Sequence, residues 1–106
     1  MTDLQSRVYE FLTLIPKGKV VTYGTVAARL GNKNLARVVG NLLHVNPDPI
    51  GHPCFRVVNS KGCLAAHFGD GGPEVQRSRL EADGIEVIDG RVDLEKYGWI
   101  PEDLRP

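Results

Sequence analysis

The chain is poor in the features that mark several large classes of protein. It has two cysteines among 106 residues, Cys54 and Cys63. Two are too few for a disulfide framework, and no second pair stands at zinc-ligand spacing. Reduced thiols in a cytosol are therefore the expectation, with no metal and no cofactor. No apolar run approaches the ~18–20 residues of a membrane span. Met1-Thr2-Asp3-Leu4-Gln5 has neither the basic stretch nor the apolar core of a signal peptide. Repeats, linkers and low-complexity segments are missing as well. A cytoplasmic protein without a membrane role is what remains.

What is present suits one compact domain spanning 1–106, with a loose tail from about 101 and no feature that demands more than a monomer. Apolar residues make up 42% and charged residues 25%, the balance of an ordinary globular core and surface. The net charge is zero, but it is unevenly spread. Residues 1–60 hold seven basic side chains (Arg7, Lys17, Lys19, Arg29, Lys33, Arg37, Arg56) against three acidic ones, a net of +4. Residues 61–106 hold six against ten, a net of −4. Such asymmetry points the N-terminal half towards a polyanion.

Leu4, Val8, Phe11, Leu12 and Ile15 fall at helical spacing, so a helix is expected over 3–14, capped by Thr2 or Asp3. Pro16-Lys17-Gly18-Lys19 breaks it, and Val20-Val21 is extended. Thr22 can cap a second helix to about Leu30, with Val26, Ala27 and Leu30 inward and Gly31 ending it. Asn34 can cap a third helix over about 35–45. There Leu35, Val38, Val39, Leu42 and Val45 read as the core face, while Arg37, Asn41 and His44 recur on another. Ala36 and Gly40 stand at i, i+4, where small side chains let another surface approach closely. Two helices joined by a short glycine turn match a helix-turn-helix.

Asn46-Pro47-Asp48-Pro49 stops the third helix. Phe55–Val58 and Cys63–Ala65 then flank Asn59-Ser60-Lys61-Gly62 as an expected β-hairpin. Pro73 starts a helix that runs to Asp83. Ile85–Val87 and Val92–Leu94 around Asp89-Gly90 read as a second hairpin. Tyr97, Trp99 and Ile100 are expected to pack back on the core. The fold class is thus mostly α with small β-hairpins, a winged-helix-like helix-turn-helix domain.

Taken singly, the notable residues have ordinary readings. Cys54 beside Phe55 and Val57, like Cys63, reads as a buried hydrophobe. Tyr23 covers the first helix, Arg37 is a solvated charge, and His44 and His67 face solvent. Together they read differently. Val20-Val21-Thr22-Tyr23-Gly24, Ala36-Arg37-Val38-Val39-Gly40, Asn46-Pro47 and Pro53-Cys54-Phe55-Arg56-Val57-Val58, in this order, resemble the C-terminal DNA-binding domain of O6-alkylguanine-DNA alkyltransferases. They resemble more closely the stand-alone alkyltransferase-like proteins of that family. The resemblance covers roughly residues 5–90.

That resemblance implies a role for each matching position. Tyr23 would press on the phosphate beside a flipped nucleotide, and Arg37 would fill the vacated stack. Ala36 and Gly40, with Asn41 on the same helix, would lie against the minor groove. Asn46 would be the hinge between that helix and the cysteine loop. Tyr23, Pro53, Cys54, Phe55, Val57 and Phe68 would form the lesion pocket, the Val57 carbonyl meeting the exocyclic amine of the base. Asp83 stands near where the alkyltransferases carry a glutamate. The partner would be double-stranded DNA containing alkylated guanine, and nucleotide excision repair proteins would act downstream. Reaching an atom inside a duplex requires extruding the base, and a side chain must then occupy the gap.

Two departures bear on chemistry. The alkyltransferases have Pro-Cys-His-Arg, and here Phe55 replaces the histidine. The alkyltransferase-like proteins usually replace the cysteine, and here Cys54 remains. Alkyl transfer needs the thiolate. An unperturbed cysteine is only about 3% ionised near pH 7. Phe55 cannot take the proton, and a missing general base forfeits about 10²–10⁴-fold in rate. His52 could substitute, although its place across Pro53 makes the geometry awkward. Three functions stay open: a lesion reader with little or no alkyl transfer, a single-turnover alkyltransferase with Cys54 as acceptor, and a helix-turn-helix regulator without lesion preference.

Overall fold

The structure is a computed structural model that describes residues 2–66, 68 and 71–105. Its order begins with a helix α1 (Asp3–Leu12) opened by a capping box. The Thr2 hydroxyl accepts from the Gln5 N–H at 3.1 Å, and the Gln5 side chain accepts from the Thr2 N–H at 2.8 Å. Val8, Tyr9, Phe11 and Leu12 are buried along one face. The helix ends two residues short of the expected 14, and Ile15 still reaches the core.

After the Pro16–Lys19 break comes β1 (Val21–Thr22) and, directly, α2 (Tyr23–Arg29). Thr22 caps α2 by accepting from the Thr25 N–H at 3.1 Å. Gly31 follows at φ +94°, the left-handed conformation in which a side chain would be strained. A 3₁₀ turn (Lys33–Leu35) then leads into α3 (Ala36–His44). The expected Asn34 cap does not form: α3 opens on Leu35 without a side-chain cap, and Asn32 caps the 3₁₀ turn by accepting from the Asn34 N–H at 2.9 Å. The core face of α3 is also narrower than its apolar residues suggest. Val39 and Leu43 are buried, while Val38 and Val45 are exposed. A helix lying on a small domain buries only one stripe, and Val38 and Val45 fall outside it.

The largest departure concerns the cysteine segment. Cys54–Arg56 forms a 3₁₀ turn, followed by β2 (Val57–Val58). β2 does not pair with Cys63–Ala65 as a hairpin. It pairs in parallel with β1, Val21 opposite Val57 and Thr22 opposite Val58. The Asn59–Gly62 turn does form, with the Gly62 N–H on the Asn59 carbonyl at 2.9 Å, but Cys63 then bridges to Arg91 instead. A parallel pair needs a crossover, and α2 with α3 supplies it.

Helix α4 (Pro73–Ala82) starts on Pro73. Its Leu80 is fully buried against Ile85 and the rest of the core. The second hairpin forms two residues further on than expected at its first strand, as β3 (Val87–Ile88) with β4 (Arg91–Val92). Asp89 and Gly90 both have positive φ, as a type I′ turn requires. A short helix α5 (Leu94–Tyr97), absent from the sequence reading, follows. Trp99 stacks near Phe11, ring centroids 6.1 Å apart. Beyond Pro101 the chain makes a 3₁₀ turn (Glu102–Leu104), and Asp103 pairs with Arg29 at 3.2 Å. The architecture is therefore mostly helical with two small sheets. None of its described helices is long and apolar enough to cross a membrane.

Candidate nucleic-acid interface and base-sized hollow

The β1–β2 pair places the site. Tyr23 is the first residue of α2, immediately after β1, and Cys54 lies in the turn immediately before β2. Pairing Val21 with Val57 in parallel lays the two segments side by side, and the Tyr23 and Cys54 side chains meet across the ladder at one cavity. Between them opens a hollow of about 250 Å³. That is below the ~300–1,000 Å³ of sites for drug-sized ligands and suits one planar group. Tyr23 of α2 and Gly40, Asn41, Leu43 and His44 of α3 line it, with Cys54, Val57, Ala65 and Phe68. Gln76 of α4 lines it as well.

Tyr23 keeps its proton there. Burial first, and the neighbouring Cys54 second, push its phenol above the ordinary 10.0. The same two causes raise Tyr9. Both phenols are thus donors at neutral pH. Tyr9 uses its hydroxyl on the Leu42 carbonyl at 2.8 Å, pinning the end of α3 to α1.

Gly40 touches the hollow without being demanded by the fold. It lies inside a helix, and a Cβ there would meet only Tyr23 Cε1 at 4.0 Å, an ordinary contact. Alanine would fit internally and favour the helix. The space at Gly40 is open outward, on the helix that exposes Arg37 and Asn41. Arg37 stands outside the hollow, on the exposed surface of α3. Ala36 is half-buried beside it.

Asn46 ties the end of α3 to the cysteine segment. Its side-chain nitrogen donates to the His52 carbonyl at 2.7 Å, and its oxygen accepts from the Asp48 N–H at 3.1 Å. The His52 carbonyl also accepts from the Cys54 N–H at 2.6 Å. The His52 ring stacks flat on Tyr9, centroids 5.0 Å apart, and its Nδ1 lies 3.4 Å from Asn46 Oδ1. These contacts give His52 a packing and hydrogen-bonding role in the strap below the thiol.

Two expected pocket residues fall elsewhere. Pro53 and Phe55 line a different hollow with Arg56, Arg79 and Asp83, on the other side of the cysteine turn. A 3₁₀ turn advances about 120° per residue, so neighbours 54 and 55 face apart. The Phe55 ring lies under the Arg56 guanidinium, 5.1 Å from centroid to Cζ. Arg56 in turn reaches Asp83 twice, at 2.7 and 3.3 Å, and the Ile15 carbonyl at 3.0 Å. Asp83, expected near a catalytic glutamate position, is therefore one half of an almost buried ion pair. His44, expected simply to face solvent, is exposed but stands at the hollow. His67 lies outside the described residues.

One residue at the hollow escaped the sequence reading. Gln76 is fully buried, the single buried polar side chain among the described residues. Its Nε2 donates to the Phe55 and Val57 carbonyls at 3.1 and 2.9 Å, and its Oε1 accepts from the Ala65 N–H at 2.8 Å. Its spacing was the available signal, since Gln76 stands four residues before the core residue Leu80 on α4. Arg79, one position before Leu80, places its guanidinium over the Phe68 ring at 5.8 Å.

Residues 3–85 match the family described as the DNA binding domain of 6-O-methylguanine DNA methyltransferase. The chain belongs to this family. Within it, the chain is 41% identical to a DNA base-flipping protein of Vibrio parahaemolyticus, covering 95% of this chain and all of that one. It is equally similar, 41% over 90% of its length, to a bifunctional methyltransferase/endonuclease of Picrophilus torridus, of which it spans only 31%. Among solved structures, Schizosaccharomyces pombe Atl1 in complex with damaged DNA containing O6-carboxymethylguanine superposes with a TM-score of 0.84. Its sequence identity is 34%, with 95% of this chain and 98% of that one covered. The family includes methyltransferases as well as proteins named for base flipping.

Proposed function

We propose that this chain reads O6-alkylguanine in duplex DNA. It docks α3 on the minor groove, extrudes the damaged base and holds it in the hollow beside Tyr23, Cys54, Val57 and Phe68. Arg37, exposed on α3, fills the gap in the stack, and Ala36, Gly40 and Asn41 lie against the backbone. Asn46 is the hinge that keeps the cysteine strap in register with α3. Alkyl transfer is slight or absent, and the held lesion marks the site for nucleotide excision repair. The protein works in the cytoplasm, at the nucleoid in a bacterium, as a monomer and without a cofactor.

One observation carries this reading: a base-sized hollow containing Cys54 opens beside α3, while position 55, where the alkyltransferases have a histidine, holds a phenylalanine turned away under Arg56. A carbon ring has no lone pair for the thiol proton, so the site is built to hold rather than to react. The likeness over full length to the Vibrio parahaemolyticus base-flipping protein and to Atl1 with damaged DNA supports it.

A second reading has its own observation. Cys54 lines the hollow, so a base held there is within reach of a sulfur nucleophile. In that case the protein is a methylated-DNA–protein-cysteine methyltransferase acting once. Duplexes carrying guanine or O6-methylguanine at one position, titrated with the protein and followed by intact mass in the same tube, separate the possibilities. The reader prefers the lesion by tenfold or more and gains no methyl group within the binding measurement. Rapid, stoichiometric methylation of Cys54 establishes the transferase instead. Equal affinity for both duplexes leaves a plain helix-turn-helix binder. Under the reader hypothesis Phe55→His restores a base and speeds Cys54 methylation by about tenfold or more; an unchanged rate places position 55 out of reach of the thiol.

A further inference from the structure

We infer that Gln76 is the positioning residue for recognition of the held base: its carboxamide sets the Val57 carbonyl as the acceptor for the base's exocyclic amine. This rests on the hollow being the base site.

The buried carboxamide has only one sensible orientation. Two carbonyls face its nitrogen and one N–H faces its oxygen, so both N–H groups are spent on Phe55 and Val57, and the oxygen on Ala65. Gln76 thereby joins three backbone points: two carbonyls that follow Cys54, those of Phe55 and Val57, and the start of the segment leading to Phe68. An apolar side chain could fill the same volume. It would leave two carbonyls and one N–H buried without their partner, a cost that selects the carboxamide at this place.

The chemistry of the lesion says what such an arrangement is for. Alkylation at O6 removes the hydrogen from N1 of guanine. The 2-amino group is then the sole N–H donor on the pairing edge, and a hollow that recognises the base must offer it an acceptor. Val57 lines the hollow and can supply it: its carbonyl has two lone pairs, and Gln76 occupies one, while the Gln76 oxygen is held by the Ala65 N–H. Donation from Gln76 also polarises the carbonyl and strengthens it as an acceptor. Val57 and Gln76 both line the hollow. Gln76 acts through Val57 and touches no reacting atom.

The test compares three duplexes differing at one base: guanine, O6-methylguanine, and O6-methylhypoxanthine, which lacks the 2-amino group. Binding is read by fluorescence anisotropy with the full chain. Wild type is expected to bind O6-methylguanine about tenfold more tightly than O6-methylhypoxanthine, the worth of one good hydrogen bond. In Gln76→Met and Gln76→Leu that ratio falls towards one. A merely structural role would weaken both lesions alike and leave the ratio intact. A folded variant that keeps the wild-type ratio overturns the inference. So does a wild-type protein that binds the two lesions equally, which decides the matter even if both variants fail to fold. Wild type showing no preference for O6-methylguanine over guanine instead overturns the base-site reading itself.

Discussion

The Cys54–Arg56 turn has two faces of different chemistry. On one, Tyr23, His44, Phe68 and Gln76 surround the hollow that contains the thiol, with the outward faces of α2 and α3 beside it. On the other, Phe55 lies under Arg56, and Arg56 is held by Asp83 and the Ile15 carbonyl. The first face has an opening. The second spends its polar groups on one another. On the proposed function, recognition and stability fall on opposite sides of a three-residue turn, and Phe55 belongs to the packed side.

The sharpest way to break that division is Asp83→Asn. It leaves the Arg56 guanidinium nearly buried and without its counter-charge, and its loss should lower stability by roughly 3 kcal/mol. Asp83 also sits at the C-terminal end of α4, where a carboxylate opposes the helix dipole unless a cation compensates. A thermal melt measures the loss, and the ratio of lesion to guanine binding should not move. A collapsed ratio would mean that the two faces are one unit.

Arg37→Ala should do the opposite. The side chain is exposed, so the melting temperature holds, while lesion binding falls by about 10–100-fold through loss of the stack filler. Lys17→Ala, which removes only a charge, should cost less. Equal losses for both that disappear at higher salt would reduce Arg37 to a phosphate contact.

Gly40→Ala separates the faces by sign. A methyl fits against Tyr23 and should stabilise α3 by about 0.5–1 kcal/mol in a denaturant melt. The same methyl stands where the groove must approach, so affinity for duplex DNA should drop. Tighter or unchanged binding would remove Gly40 from the interface.

The smallest effect is a pH dependence. Tyr23 and Tyr9 have raised pKa values in the folded protein, so above pH 10 the native state binds more protons than the unfolded one. Their contribution to stability is complete at neutral pH and is lost as pH rises through the raised values. Tyr23→Phe should flatten the alkaline limb of a stability profile; an unchanged limb would mean that its phenol is as free in the folded state as in the unfolded one.

Part of the hollow's lining was legible before the fold: Tyr23, Gly40 and Cys54 stand in an ordered set of short motifs, each tied to a local geometry such as a cap or a helix face. Gln76 was not legible, because a glutamine on a helix gives no sign of which carbonyls it will meet. Phe55 was misplaced for a related reason. Its neighbour Cys54 lines the hollow, and only the tightness of the 3₁₀ turn sends the two side chains apart. The narrow buried stripe of α3, with Val38 and Val45 outside it, likewise depends on how the helix rests on the core.

By itself the sequence determined the starts of α1, α2 and α4 and the end of α2, because the Thr2 and Thr22 hydroxyls, Pro73 and Gly31 act on the residues beside them. It also determined the Asp89-Gly90 turn, since few residue pairs accept two positive φ values. Only the tertiary structure decided that Val57–Val58 pairs with Val21–Thr22 rather than with its neighbour across the Asn59–Gly62 turn. Both pairings satisfy the same local preferences. They differ in what they bury: the parallel one brings Val21, Val57 and Val58 into a single core and sets Tyr23 beside Cys54. That choice, made by long-range burial rather than by any local signal, is what creates the hollow.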